Sequence, residues 1–434
     1  MSPLIIGGIG ICVMLILFGI GMPISFAMAL AGMAGFAYLA SPAAGFSLLP
    51  RDIYEQIASY PLSVIPMFVM MGCYAFASGI GRKLFSTAYA ILGHLPGGLT
   101  IATIAASTGF GAICGSTSAT CATIGKVALP EMKKYGYQDW LSTGTVTVAG
   151  GLGIIIPPST TFIVYGIQTE QSIGKLFISG IIPGIILAIL FMITVYFICR
   201  RFPNAGPAGP STTLGQKLAS LKGLIDTIIL FIITIGGLFA GIFSPTQAGA
   251  IGSAGALVIG LINRELTWQK FVDATKEGLR LSCMILLLIA GATVFGHFIT
   301  RTTMPILLAN WVGTLNVAPI VVMILLIVFW FILGCFIDAM AIIVLLMPIV
   351  YPLVTNLGFD PIWFGVIVTV LSMTAVVTPP VGVNAYVVKG IAKDIPLQTI
   401  FKGVMPFLIP FFTGIVILVA WPELSIFLTR FVTY

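Results

Sequence analysis

Charge is what this chain has least of. Asp, Glu, Lys and Arg make up 8% of its 434 residues, while 59% are hydrophobic. Soluble globular domains carry about 25% charged residues. That class is therefore excluded, and an all-α protein with many membrane spans is indicated. Histidine is scarcer still: His94 and His297 are the only two, and with scattered acids and no H-E-x-x-H they make no zinc site. They read as interfacial packing residues. The G-x-x-x-x-G-K-S/T phosphate loop is missing, which argues against ATP-driven transport within the chain, and the missing G-x-S-x-G weakens an intramembrane hydrolase. The seven cysteines are odd in number, lie mostly in apolar runs and lack metal spacing, so they read as free thiols. The excess of base over acid, 20 against 13, sits in short loops between apolar runs. It fits the positive-inside rule and a lipid bilayer better than nucleic acid.

What is abundant is apolar sequence of spanning length. Runs at Leu4–Gly21, Pro23–Leu39, Leu62–Ile80, Trp140–Tyr165, Leu176–Cys199, Ile225–Phe243, Ala248–Asn263, Leu281–Thr300, Trp363–Val388 and Val404–Trp421 give about ten spans. Regions 98–134 and 318–355 are too long for one span and too short for two, which predicts re-entrant hairpins, with two short tilted spans as the alternative. With the N-terminus outside, only Arg51, Lys175, Arg301 and Arg430 of the 20 basic residues fall on the outer side. Thr267–Leu281 alternates aromatic and charged residues and predicts an interfacial helix, with Arg51–Tyr60 as its outer counterpart.

Two spans contain their own breakers. Gly150–Thr161, within the span at 140–165, holds Pro157-Pro158, and Met373–Asn384, within the span at 363–388, holds Pro379-Pro380. Proline removes an amide donor and pushes the preceding residue away from helical geometry. An opened backbone cannot face lipid, so each break must be packed in protein or line a watery site. The breaks are also spaced as a repeat. Pro157-Pro158 and Pro379-Pro380 are 222 residues apart, as are Pro23 and Pro245, and Pro130 and Pro352. Segment 1–201 reads as one repeat, 202–224 as a cytoplasmic linker, and 225–434 as a second repeat. Five spans and a hairpin in the first repeat force the second to enter the membrane in the opposite sense, an inverted-topology repeat. One hairpin tip falls at Gly115–Thr120 and the other at Gly334–Met340. The hydroxyls of the first suit a hard cation, or alternatively satisfy their own helix. Asp338 of the second could touch a cation, take a proton or cap a helix.

The runs Gly115-Ser116-Thr117-Ser118-Ala119-Thr120, Gly150–Ser159 and Thr378-Pro379-Pro380-Val381-Gly382-Val383-Asn384 resemble the large membrane subunit of tripartite ATP-independent periplasmic (TRAP) transporters, over essentially the whole chain. The resemblance implies a bacterial inner-membrane permease driven by sodium, with both termini periplasmic and an elevator motion of a transport domain against a scaffold. It implies three partners: a small membrane subunit of about four spans, a periplasmic binding protein, and an organic acid such as sialic acid, another sugar acid or a C4-dicarboxylate. Carried over residue by residue, it implies sodium sites at Ser116, Thr117 and Ser118 with Gly153, Pro157 and Ser159, and at Gly334 with Thr378, Val381 and Gly382. Ser116, Ser118, Thr160, Asp338 and Asn384 are the expected substrate contacts. An uncoupled channel-like or structural component, and more remotely an intramembrane enzyme, are the competing readings.

Overall fold

The computed structural model describes residues 2–314 and 317–431. The extreme ends, on which the expectation for the termini bears, lie outside the described residues. Seven of the described helices are long and apolar enough to cross a membrane, fewer than the spans read from the sequence. Part of the difference lies in runs that form helices shorter than a full span, such as Pro3–Gly19 and Ile24–Leu39. The rest lies in the two broken runs, while one of the seven, Ala339–Asn356, is an arm of the second hairpin and not one of those spans.

The halves repeat the same order of elements. In the first, arms Gly98–Cys114 and Thr117–Lys134 form a hairpin, followed by a broken helix made of Asp139–Gly151 and Thr160–Thr169. In the second, arms Pro319–Gly334 and Ala339–Asn356 form a hairpin, followed by Pro361–Ala375 and Val383–Ile391. Both Pro-Pro pairs sit at the breaks. The repeat extends to the caps. Ser116 caps the second arm of hairpin one and accepts from the Ala119 amide, while Asp338, 222 residues on, caps the second arm of hairpin two and accepts from the Met340 amide. The capping reading of Asp338 is thus realised.

Packing sorts the helices into two groups. The broken helices lie at the centre of an inner group with both hairpins, Ile181–Arg201 and Leu397–Ala420. Every residue from Leu141 to Tyr165 is buried. Close approach depends on glycine here: a Cβ on Gly144 would collide with the Gly403 backbone. At the surface of this group Lys133, ending hairpin one, binds Asp394 at 2.6 Å, and that hydrogen bond holds the Asp394 carboxyl below the ordinary carboxylate range. The outer group contains Ile24–Leu39, Pro42–Ile57, Val64–Ala77, Pro245–Ile262 and Trp268–Arg301.

Four local differences from the sequence reading have physical causes. The segment Thr267–Leu281 is not a separate helix but runs into the span after it as one 34-residue helix, Trp268–Arg301, because no proline interrupts it. At 1.5 Å per residue it is about 50 Å long, longer than a hydrocarbon core of about 30 Å. Its counterpart is Pro42–Ile57, earlier than the expected Arg51–Tyr60, since Ser41 caps its start and Tyr60-Pro61 breaks the chain before Val64–Ala77. His297 is not mere packing: its Nδ1 lies 2.6 Å from Oδ2 of the buried Asp52 on that helix. The linker is a strap rather than a loose loop. Gly97 N donates to Gly206 O, Gln138 N to Ala205 O and Gly209 N to Gly93 O, at 2.9–3.0 Å. Within it Thr213 and Gln216 form a capping box on helix Leu214–Ser220.

Candidate functional site

Hairpin one turns at Gly115, whose φ of +65° favours glycine. A Cβ there would also stand 2.7 Å from the Pro158 carbonyl oxygen, so the tip rests directly on the first break. Thr160, the first residue of the resumed helix, ties the two together: its amide and Oγ1 both donate to Gly115 O, at 3.4 and 3.0 Å. Ser159 closes the break from within. Its hydroxyl donates to Ile154 O and accepts from the Phe162 amide at 3.2 Å. Gly153 lies against the base of the tip, where a Cβ would stand 2.8 Å from Ser116 O and 2.5 Å from Thr120 Oγ1. That hydroxyl is buried with no hydrogen-bond partner among the described residues. A lone buried hydroxyl costs about 1–3 kcal/mol unless something binds it. Neutral oxygens beside an opened backbone are the donor set a hard cation takes, and these residues fit sodium. Thr120 belongs to the tip run yet was not among the expected ligands. The signal was its spacing of four from Ser116, which puts both on one helical face.

The second tip meets the second break through backbone, as its missing hydroxyls lead one to expect. Val381 N donates to Cys335 O at 3.2 Å. Cys335 Sγ is 3.7 Å from Thr378 Oγ1, which donates to Thr374 O at 3.0 Å. Gly334 permits the approach of the arm, since a Cβ would stand 2.7 Å from Ala375 Cβ. Gly382, at φ +45°, restarts the helix, with room for a Cβ taken by Phe401 and Thr378 O.

A cavity of about 760 Å³ lies between the inner and outer groups. Ser116, Thr117, Ser118, Thr160 and Asp338 reach its wall from the inner group, and Val69, Cys73, Phe76 and Leu281 face them from the outer group. Arg82, Glu265 and Lys270 also line it; Glu265 pairs with Arg82 at 3.7 Å and with Lys270 at 3.5 Å. Four of the five expected substrate contacts therefore share one wall. Asn384 does not. It is fully buried and donates through Nδ2 to Thr147 O at 3.1 Å, because the helix restarting at Val383 turns it toward the first broken helix rather than the cavity. Gly153, Pro157 and Ser159 likewise lie behind the wall.

Two hairpin tips resting on two broken helices beside a central cavity define a membrane permease. The comparisons agree. The chain matches the family model described as tripartite ATP-independent periplasmic transporter, DctM component, over residues 11–424. It is 34% identical over 379 residues to a C4-dicarboxylate TRAP transporter large permease protein of Pseudomonas aeruginosa, covering 87% of this chain and 88% of that one. It is 32% identical over 409 residues to a sialic acid TRAP transporter large permease protein of Vibrio cholerae, covering 94% and 95%. A crystal structure of the Alcanivorax borkumensis YdaH transporter, described as having an unusual topology, shares the fold with a TM-score of 0.63 at 17% identity, covering 88% and 89%. The chain belongs to the DctM family of TRAP transporter large membrane subunits.

Proposed function

We propose that this permease takes up a small organic acid together with sodium, receiving it from a periplasmic binding protein and working beside a small membrane subunit. The observation that carries sodium coupling is the unpartnered Thr120 hydroxyl beside Ser116 O and Gly153, at the junction of tip and break. Sodium supplies the charge that draws the tip oxygens onto the break. Ser116, Thr117, Ser118 and Thr120 with Gly153, Pro157 and the backbone of Ser159 hold one ion, and Gly334, Thr378, Val381 and Gly382 the other, largely through carbonyls. Substrate lies in the cavity, where Ser116, Ser118 and the amides at the start of the Thr117–Lys134 arm meet its carboxylate. Asp338, whose Oδ1 accepts from the Met340 amide, presents its remaining acceptor to a hydroxyl or ammonium group of the substrate. The two relatives are named for a C4-dicarboxylate and for sialic acid. Sialic acid, which carries hydroxyls beside its carboxylate, suits this wall best.

The division into groups supports an elevator. The inner group carries both sites, and the outer group supplies the opposite wall of the cavity. The orientation read from the basic residues puts Arg82 and Lys270, and so this opening of the cavity, on the cytoplasmic side. The two repeats then enter the membrane in opposite senses. The test is uptake by proteoliposomes holding permease and small subunit, given binding protein and labelled acid. Accumulation that requires both an inward sodium gradient and the binding protein supports the proposal. Uptake indifferent to both overturns it in favour of an uncoupled pathway.

A further inference from the structure

Asn384 occupies a position that neither cation site nor cavity explains. It lies in the first turn of Val383–Ile391 and is completely buried. Its amide donates to Val376 O at 2.9 Å, a bond that reaches back over Pro379-Pro380 and closes the second break. Its side-chain Nδ2 crosses to the other repeat and donates to Thr147 O at 3.1 Å. Its carbonyl oxygen is met at 3.7 Å by Cys121 Sγ, which also lies 3.6 Å from Val146 O. Its Oδ1 is buried without a partner.

These partners lead straight to the first cation site. Cys121 follows Thr120 in the chain, and Gly150 packs so closely on it that a Cβ would stand 2.6 Å from Cys121 Cβ. Thr147 lies in the same arm of the broken helix, less than two turns before Gly153. On the other side, Val376 opens the segment that holds Thr378 against Cys335. One residue thus grips the second break, the first broken helix and the second arm of hairpin one. The residue 222 positions earlier is Phe162, which has no polar side chain. The side-chain amide bridge therefore has no counterpart at the equivalent position of the first repeat.

We infer that Asn384 is a positioning residue that couples the two cation sites, so that filling one prepares the other. The inference rests on the proposed sodium sites. An ion that draws the second break's carbonyls inward moves Val376 and with it the Asn384 backbone. The side-chain amide transmits that shift to Thr147, and Cys121 transmits it to the turn that carries Thr120. Coupling of this kind appears as cooperativity in ion binding, reciprocal between the sites.

The experiment is binding of radiolabelled sodium to the full-length permease in lipid nanodiscs, with no substrate present, alongside its melting temperature without sodium. For two coupled sites the wild type should give a Hill coefficient approaching about 2, and Asn384→Leu should lower it to about 1 with the number of bound ions unchanged. The same variant should raise the half-saturating sodium concentration about 5-fold or more. A residue that only stabilises the fold would lower the melting temperature and leave the Hill coefficient alone. Asn384→Ser removes the bridge without added bulk and serves where Asn384→Leu does not fold. An unchanged Hill coefficient in either folded variant, or a wild-type coefficient of about 1, overturns the inference while leaving the sodium sites standing. A wild type that binds no sodium overturns the proposed function itself, and this inference with it.

Discussion

Gly153→Ala should weaken sodium binding clearly at a bounded cost to the fold. The new Cβ would stand 2.8 Å from the Ser116 carbonyl oxygen and 2.5 Å from Thr120 Oγ1. Neither can easily yield: Ser116 O is fixed by the Thr120 amide at 3.1 Å, and Thr120 is fully buried. The hairpin tip must therefore back away from the break. Overpacking of this kind costs about 1–3 kcal/mol. Gly153 lies in a short helical turn, Leu152–Ile154, so alanine suits its backbone and recovers about 0.4–1 kcal/mol through the unfolded chain. The net loss of stability is then at most about 2.5 kcal/mol. The displacement falls on the ion's own ligands, where about 1–3 kcal/mol weakens binding roughly 5- to 150-fold. The assay is thermal stabilisation by sodium, read as the half-saturating concentration. Gly390→Ala is the control, since its Cβ enters open space in the Val383–Ile391 helix. A half-saturating concentration equal to wild type in folded Gly153→Ala would refute the placement of the ion between tip and break.

Three further expectations are simpler. Thr120→Val removes a buried hydroxyl with no hydrogen-bond partner among the described residues, so stability should nearly hold while sodium affinity drops about tenfold; calorimetry and sodium titration measure the two. Asp338→Asn keeps the cap and Asp338→Ala loses it at a cost of about 1 kcal/mol, yet both should weaken substrate binding, and wild-type affinity in both would reduce Asp338 to a cap alone. Lys126 of hairpin one lies over the ring of Phe76 in the outer group at 5.1 Å; with a cation–π contact worth about 0.5–1 kcal/mol, Lys126→Met should shift the balance between the two positions of the inner group roughly 2- to 5-fold. Spin labels at Gly8 and Gly390, both facing open space, would report that shift as a change in their distance distribution.

Much of this architecture was legible because membrane helices advertise their interruptions. The Pro-Pro pairs, the glycines at the tips and their common spacing survive in the sequence whatever the side chains around them do. The length of the two odd apolar regions was enough to predict arms joined by a short tip. Side-chain roles were less legible, because a hydroxyl can serve a cap, a neighbouring carbonyl or an ion, and only geometry decides. Ser159, read as an ion ligand, spends its proton and a lone pair on closing the break. Thr120 keeps its hydroxyl free of hydrogen bonds among the described residues, as does Thr161 beside the same break. Asn384, expected beside the substrate for its side-chain oxygen, is aimed by the turn of its helix at the other repeat. Asp52 drew no notice in the sequence, since nothing local announces a partner 245 residues away at His297.

The central claim is that paired breaks make paired ion sites whose filling drives the organic acid inward. Simultaneous measurement of labelled sodium and labelled substrate entering proteoliposomes tests it most directly. The two fluxes should rise and fall together, with two sodium ions entering for each acid, and Gly153→Ala should depress both. Substrate entry that proceeds without sodium, or sodium entry that ignores substrate, would contradict it.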